Sequence, residues 1–210
     1  MAALAHRLAV VIDGTIGLLE SLTASPWFLA ALFAVAFLDA VLPVVPSETA
    51  VIIGGVAAGF GDLPFLAVAA VGAAGAIGGD ITAYQLGTSF GEALDRRAGP
   101  RWLRRIEWAR NALDRRAGTF LVAARFIPGG RSAITITSGI TRYPRLRFVG
   151  FITLAGLLWA TFAASLGFFF GRRFQDDHTL AFLTAFGTAV AIVVTVELIR
   201  FGLRRRRTTI

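Results

Sequence analysis

From Phe148 to Gly171 the chain runs 24 residues without a charged side chain, and Thr179 to Val196 nearly repeats the pattern. About 20 such residues in a helix cross the ~30 Å hydrocarbon core of a bilayer. In water, helices apolar on every side would need a polar shell around them. With 56% of its 210 residues hydrophobic and only 16% charged, the chain has too little material for that shell. The expected fold class is therefore all-α, a polytopic helical membrane protein.

Two further runs have the length to cross. Leu63 to Gly91 is interrupted only by Asp80, and Trp27 to Val45 carries Asp39 near one end. Two others differ in kind. Pro46 to Phe60 contains Pro46-Ser47-Glu48, and Thr119 to Ile140 contains Arg125 and Pro128-Gly129-Gly130-Arg131. Proline lacks an N–H and glycine loosens a helix, so both read as broken segments, re-entrant hairpins at about 46–60 and 119–140.

Residues 1–26 mix apolar residues with Asp13 and Glu20 ahead of Ser25-Pro26 and lack the pattern of a secretory signal; they read as an interfacial amphipathic helix. Residues 92–118 hold eight arginines and four acids beside Trp102 and Trp108, the pattern of a surface-lying cytoplasmic segment. Residues 27–173 form the membrane domain, 174–203 a last crossing helix, and 204–210 a basic tail. The run Arg204 to Arg207 reads as an orientation signal touching anionic lipid, with no nucleic-acid role.

Arginine placement tests the hairpins. A crossing by 119–140 would put Arg142, Arg145, Arg147 and the C-terminal arginines opposite the eight-arginine segment, against the positive-inside tendency. A hairpin keeps all three clusters cytoplasmic and leaves the turn from Arg172 to Asp177 outside, with N- and C-termini cytoplasmic. The same count makes Gly61-Asp62 external and starts Trp27 to Val45 in the cytoplasm. The hairpins then enter from opposite faces and meet near the middle. A weak repeat agrees: Leu86-Gly87-x-x-x-Gly91 recurs 80 residues later as Leu166-Gly167-x-x-x-Gly171, and Pro46 and Pro128 are 82 apart. Antiparallel copies of one unit are the pattern of inverted-repeat transporters.

Five charges interrupt apolar runs: Asp39, Glu48, Asp80, Arg125 and Arg131. At membrane depth each costs at least ~2.5 kcal/mol on insertion scales, so they must meet one another or water. One reading is a set of ion pairs pinning the hairpins; the other is a functional site. Arginine presents a permanent bidentate fork suited to phosphate or carboxylate, and Gly129 and Gly130 free backbone N–H groups beside Pro128 that can donate to an anion. The candidate headgroup residues are thus Arg125, Gly129, Gly130 and Arg131, with Pro46 and Pro128 as the breaks. A carboxylate resists ionisation when desolvated and favours it beside an arginine, so Asp39, Glu48 and Asp80 are candidate gates or proton carriers.

Other chemistries lack material. The chain has no cysteine, its two histidines, His6 and His178, lie outside the long runs, and its glycines form no nucleotide loop, so no metal or cofactor is expected. A lipid phosphatase would need Asp39 or Asp80 as nucleophile without a histidine. The nearest rival is a proton-coupled antiporter of small cations or drugs, with the acids binding substrate. Clustered glycines such as Gly72, Gly75 and Gly79 read as close-packing positions, and Tyr84 as a hydrogen-bonding group within the bundle. Oligomeric state is open.

Arg125-Phe126-Ile127-Pro128-Gly129-Gly130-Arg131 resembles the R-F-x-P-G-x-R signature of the DedA family, also called the VTT or SNARE-associated domain family. Asp39 followed by Pro46-Ser47-Glu48 resembles its acid and Pro-Gly-acid motif, and Gly79-Asp80-x-x-x-Tyr84-x-x-Gly87-x-x-x-Gly91 its Gly-Asp helix. Gly156-Leu157-Leu158-Trp159 with Gly167 and Gly171 fits the helix after the arginine motif. Ser47 replaces a usual glycine, Asp39 a common glutamate and Thr88 a usual arginine. The resemblance implies a bacterial inner-membrane protein with two opposed re-entrant hairpins. It also implies kinship with flippases of undecaprenyl phosphate and with phospholipid scramblases, some members depending on the proton motive force.

Overall fold

The computed structural model describes residues 25, 27–42, 47–95, 130–174 and 178–207, with scattered positions between 104 and 121. Among these residues all regular structure is helical, as expected. The helices are α1 (Phe28–Val41), α2 (Ser47–Phe60), α3 (Phe65–Asp95), α4 (Gly130–Ile140), α5 (Arg145–Arg173) and α6 (His178–Arg207). The interfacial helix expected within 1–26, and Pro46, Arg125, Pro128 and Gly129, lie outside the described residues, as does most of 92–118.

At 1.5 Å per residue, α3 and α5 reach about 46 and 44 Å, whereas α1 and α2 reach about 21 Å and α4 about 16 Å. Among the described residues, α3, over Phe65–Ala93, and α5 are both long and apolar enough to cross a membrane. Their outward faces carry exposed apolar side chains, among them Leu66, Leu146, Leu154 and Phe169. Water would reject that surface and lipid accepts it. In α6 the helix continues through Arg207, so the basic run expected as a tail after residue 203 is helical.

The first broken segment differs from expectation. Ser47–Phe60 is one unbroken helix, and α1, expected within a crossing Trp27–Val45 run, stops at Val41. The register of contacts sets the directions. In α1, Phe33 meets Gly75 and Phe37 meets Gly79, so α1 runs parallel to α3; in α2, Val51 faces Gly72 and Gly54 faces Val68, so α2 runs antiparallel to it. The chain therefore reverses between α1 and α2. Pro43 and Pro46 bracket the reversal, and neither can continue a helix. Consequently Trp27, expected in the cytoplasm, stands at the same end of the bundle as the Gly61–Pro64 turn.

The weak repeat becomes a packing rule. A short helix, a turn and a long helix occur twice, as α2–α3 and as α4–α5. Each short helix packs on the other unit's long helix, and does so parallel to it. Gly55 and Gly59 of α2 lie on the backbone of Ala164, Phe168 and Gly171 in α5, and Gly139 of α4 lies on Tyr84, Gly87 and Thr88 in α3. A Cβ on Gly139 would fall on the Tyr84 carbonyl and one on Gly167 on the Ile52 carbonyl, so these backbones touch only because no side chain intervenes.

Both turns share one construction. Asp62 N–H donates to the Ala57 carbonyl and Gly61 N–H to Ala58; Tyr143 N–H donates to Ser138 and Arg142 N–H to Gly139. This is the Schellman ending, which sets its C′ residue left-handed. Gly61 has φ 95° and Arg142 φ 55°. Pro64 and Pro144, 80 residues apart, then open the long helices.

Candidate functional site

Four elements converge on one point. Asp80 lies at the midpoint of α3, just after Gly75 and Gly79, the glycines that let α1 approach. A Cβ on Gly79 would strike the Phe37 carbonyl and lie 2.5 Å from Ala40 Cβ, so glycine there brings the last turn of α1, and Asp39 with it, against Asp80. Ser47 is the first residue of α2 and Arg131 the second of α4.

Arg131 is the hub. Its Nη2 donates to Asp39 Oδ2 at 2.9 Å, and its Nε stands 3.7 Å from Asp80 Oδ1. Ser47 Oγ donates to the same Asp39 Oδ2 at 2.5 Å. The side chains of Arg131, Asp39 and Asp80 are 11%, 13% and 1% exposed, and Ser47 is fully buried. Bringing each charge to this depth alone would cost several kcal/mol; together, two carboxylates flank one guanidinium and a hydroxyl adds a donor. Gly130 and Arg131 are the first two residues of α4.

Of the site residues read from sequence, the structure joins Asp39, Asp80 and Arg131, with Gly130 adjacent. It does not bring Glu48 to them: Glu48 lies in the first turn of α2 and is exposed. Its neighbour Ser47 takes the inward position. In the sequence Ser47 stands out only as a departure from glycine, although a hydroxyl opening a helix eight residues after an acid is a signal for such a contact. Among the described residues no three metal-ligating side chains gather.

The flanking positions are structural. Tyr84 Oη donates to the Tyr143 carbonyl at 2.6 Å and its ring stacks on Phe148 at 4.6 Å, tying α3 to the turn before α5. Leu113 and Leu121 are buried in the same cluster, so part of the arginine-rich region docks here. Thr88, where the family resemblance leads one to expect arginine, donates to the carbonyls of Tyr84 and Gly139 at 3.1 and 3.3 Å.

Residues 45–169, more than half of the chain, match the model of the VTT domain. Undecaprenyl phosphate transporter A of Bacillus subtilis is 27% identical over 172 residues, covering 80% of this chain and 86% of its own. The uncharacterised membrane protein slr0232 of Synechocystis is 30% identical, covering 79% of this chain and 77% of its own. Inner membrane protein YohD of Escherichia coli is 30% identical, covering 76% and 83%. No solved structure matches the chain. With the domain match covering more than half of the chain and taking in Ser47, Asp80 and Arg131, the chain belongs to the VTT-domain, or DedA, family of membrane proteins.

Proposed function

We propose that this chain is a transporter, and not an enzyme, that moves an anionic lipid carrier across the bacterial inner membrane, with undecaprenyl phosphate the first candidate. The observation that carries the reading is the convergence of Asp39, Ser47 and Arg131 on Asp80 at the midpoint of α3. Polar groups at that depth give a headgroup somewhere to exchange its water, while the polyprenyl tail stays in the bilayer. The name of the Bacillus subtilis relative supports the choice of carrier.

In this reading α1 with α2, and the 119–140 segment ending in α4, are re-entrant hairpins that meet from opposite faces. Helices too short to span, and running parallel to the long helix of the opposite unit, support it. Arg125 and Arg131, with the N–H groups of Gly129 and Gly130, hold the phosphate. Pro46 and Pro128 break the helices at the tips. Asp39 and Asp80 release Arg131 to the anion, and Glu48 gates the entrance, coupling passage to the proton motive force. The arginines of 142–147 and of the C-terminus support a cytoplasmic side for the start of α5 and for the C-terminus.

The test is undecaprenyl phosphate translocation in sealed proteoliposomes, with and without a pH gradient. The parent should move the lipid, Arg131→Ala should not, and Glu48→Gln should lose the response to the gradient. A folded parent that moves none in either gradient direction defeats the reading. One observation favours the rival antiporter of small cations or drugs: among the described residues of the cluster, carboxylates outnumber guanidinium two to one. Proton-driven cation uptake by a parent that does not move lipid would put that rival first.

A further inference from the structure

An open groove of about 630 Å³, with no residue of the charge cluster in its lining, runs along α6. Phe170 of α5 borders it, and Thr184, Gly187, Thr188, Ala191 and Thr195 line its length. Four residues separate Arg173 from His178, so α6 returns alongside α5 and Phe170, in the last turn of α5, stands at the Thr184 end. The hydroxyls of the groove are already used. Thr184 donates to the Leu180 carbonyl, Thr188 to Thr184 and Thr195 to Ala191, each within α6. With no free hydroxyl proton to satisfy, the groove is filled best by hydrocarbon in close contact.

The Thr184 end carries charge. The Arg172 guanidinium stands 5.6 Å from the centre of the Phe168 ring, and that of Arg173 stands 5.7 Å from the centre of Phe174. Phe174 stacks on Phe170 at 6.3 Å, so aromatic contacts tie Arg173 to the groove's own border. Both arginines are exposed, and among the described residues neither has a carboxylate within ion-pair distance. Asp176 and Asp177 lie outside the described residues. A guanidinium resting on a ring keeps its N–H fork for an anion. Depth adds a second constraint. Thr184 and Thr195 are 11 residues apart, a rise of about 17 Å, and half of the hydrocarbon core is about 15 Å. Beside a crossing α5 the groove is one leaflet deep, with cations at its rim.

We propose that this groove binds an anionic phospholipid of the surrounding leaflet, with one acyl chain along α6 from Thr184 to Thr195 and the phosphodiester on Arg172 and Arg173. The bound lipid completes the packing of α6, which reaches the core through Ala181 and Ala185 and leaves the groove face uncovered. Charge complementarity favours this occupant over a second copy of the chain. Two copies inserted alike and meeting at α6 about an axis along the membrane normal bring both arginine pairs to one level, where they repel. The undecaprenyl tail is far longer than the groove, so a leaflet phospholipid fits it better than the carrier. The inference does not depend on the transport reading.

The test is lipid binding by the full chain purified in detergent, read by native mass spectrometry with phosphatidylglycerol or phosphatidylcholine of matched chains added back, alongside thermal unfolding. The parent should bind phosphatidylglycerol in preference and unfold later with it. Arg172→Gln combined with Arg173→Gln should bind it roughly 30-fold more weakly, about fivefold for each arginine near a membrane surface, and lose the preference. A Cβ at Gly187 meets no atom within 4 Å, so Gly187→Leu fills the groove without disturbing a neighbour. It should lose binding of both lipids, while its unfolding without lipid comes no earlier than the parent's, because glycine is the poorer helix former. Phosphatidylglycerol binding unchanged in either variant overturns the proposal, as it would be if Asp176 and Asp177 held the arginines. Equal binding of the two lipids by the parent also overturns it. A dimer that Gly187→Leu separates gives the groove to a second copy, and displacement of phosphatidylglycerol by a lower concentration of polyprenyl monophosphate gives it to the carrier; either overturns the proposal. Absence of transport in proteoliposomes defeats the transport reading alone.

Discussion

The two helix–turn–helix units have nearly the same backbone plan and very different side-chain chemistry. Val68 and Phe148, 80 residues apart, are both fully buried one turn into their long helices; Gly87 and Gly167 both accept the opposite unit's short helix against bare backbone. Yet where α3 carries Asp80 at its midpoint, α5 carries Ala160 at the corresponding place, also fully buried. One short helix opens with Ser47-Glu48 and the other with Gly130-Arg131-Ser132. Close packing constrains both copies because a Cβ in a backbone contact is intolerable in either. Charge is constrained in one copy only, because a single cluster already collects the polar groups at that depth.

The comparison breaks first, if it breaks, at the glycines. Gly139→Val and Gly167→Val should each cost more than about 3 kcal/mol, since the obstacle is backbone and cannot rotate away. Both variants should fail to give monodisperse protein in detergent, whereas Gly150→Val, which faces open space, should behave as the parent. If only one of the pair fails, the units are not equivalent in packing.

The charge asymmetry gives an effect of similar but smaller size. Arg131→Ala leaves two carboxylates without their guanidinium and should lower stability by about 3–5 kcal/mol, read as an earlier thermal transition. Combining it with Asp39→Asn and Asp80→Asn should restore most of the stability while lipid transport stays lost. Ala160→Asp, an acid at the corresponding depth of α5, should destabilise comparably to Arg131→Ala. Tolerance of that aspartate would mean that α5 too can supply a partner or water.

The turns give the smallest and most symmetric test. Arg142 adopts the left-handed conformation that Gly61 adopts in the first unit, at a cost of roughly 1–2 kcal/mol for a residue with a side chain. Gly61→Arg should lower the thermal transition by an equivalent amount, and Arg142→Gly should raise stability by up to about 1 kcal/mol. A destabilised Arg142→Gly would show that the arginine side chain holds the turn more strongly than its backbone strains it.

Much of this architecture is legible in the order of residues alone. Long apolar runs predict α3, α5 and α6 because length against bilayer thickness is a one-dimensional criterion. The intramembrane charges mark Asp39, Asp80 and Arg131 because a charge in an apolar run needs a partner wherever the chain places it. The return of the chain after Val41 is not legible: an apolar run of 14–19 residues reads alike whether it crosses or turns back, and only the contacts of Phe33 and Phe37 with Gly75 and Gly79 give α1 its direction.

The choice between Ser47 and Glu48 belongs to the same class. Sequence favours the carboxylate, since charge is the stronger signal, but adjacent residues on a helix point about 100° apart and the packing of α2 on α5 turns the serine inward. What the sequence by itself determined is the inventory: a bilayer as solvent, long apolar helices, a few charges obliged to pair. Which of them meet depends on the rotation and direction of helices about their axes, and those follow from contacts between residues far apart in the chain.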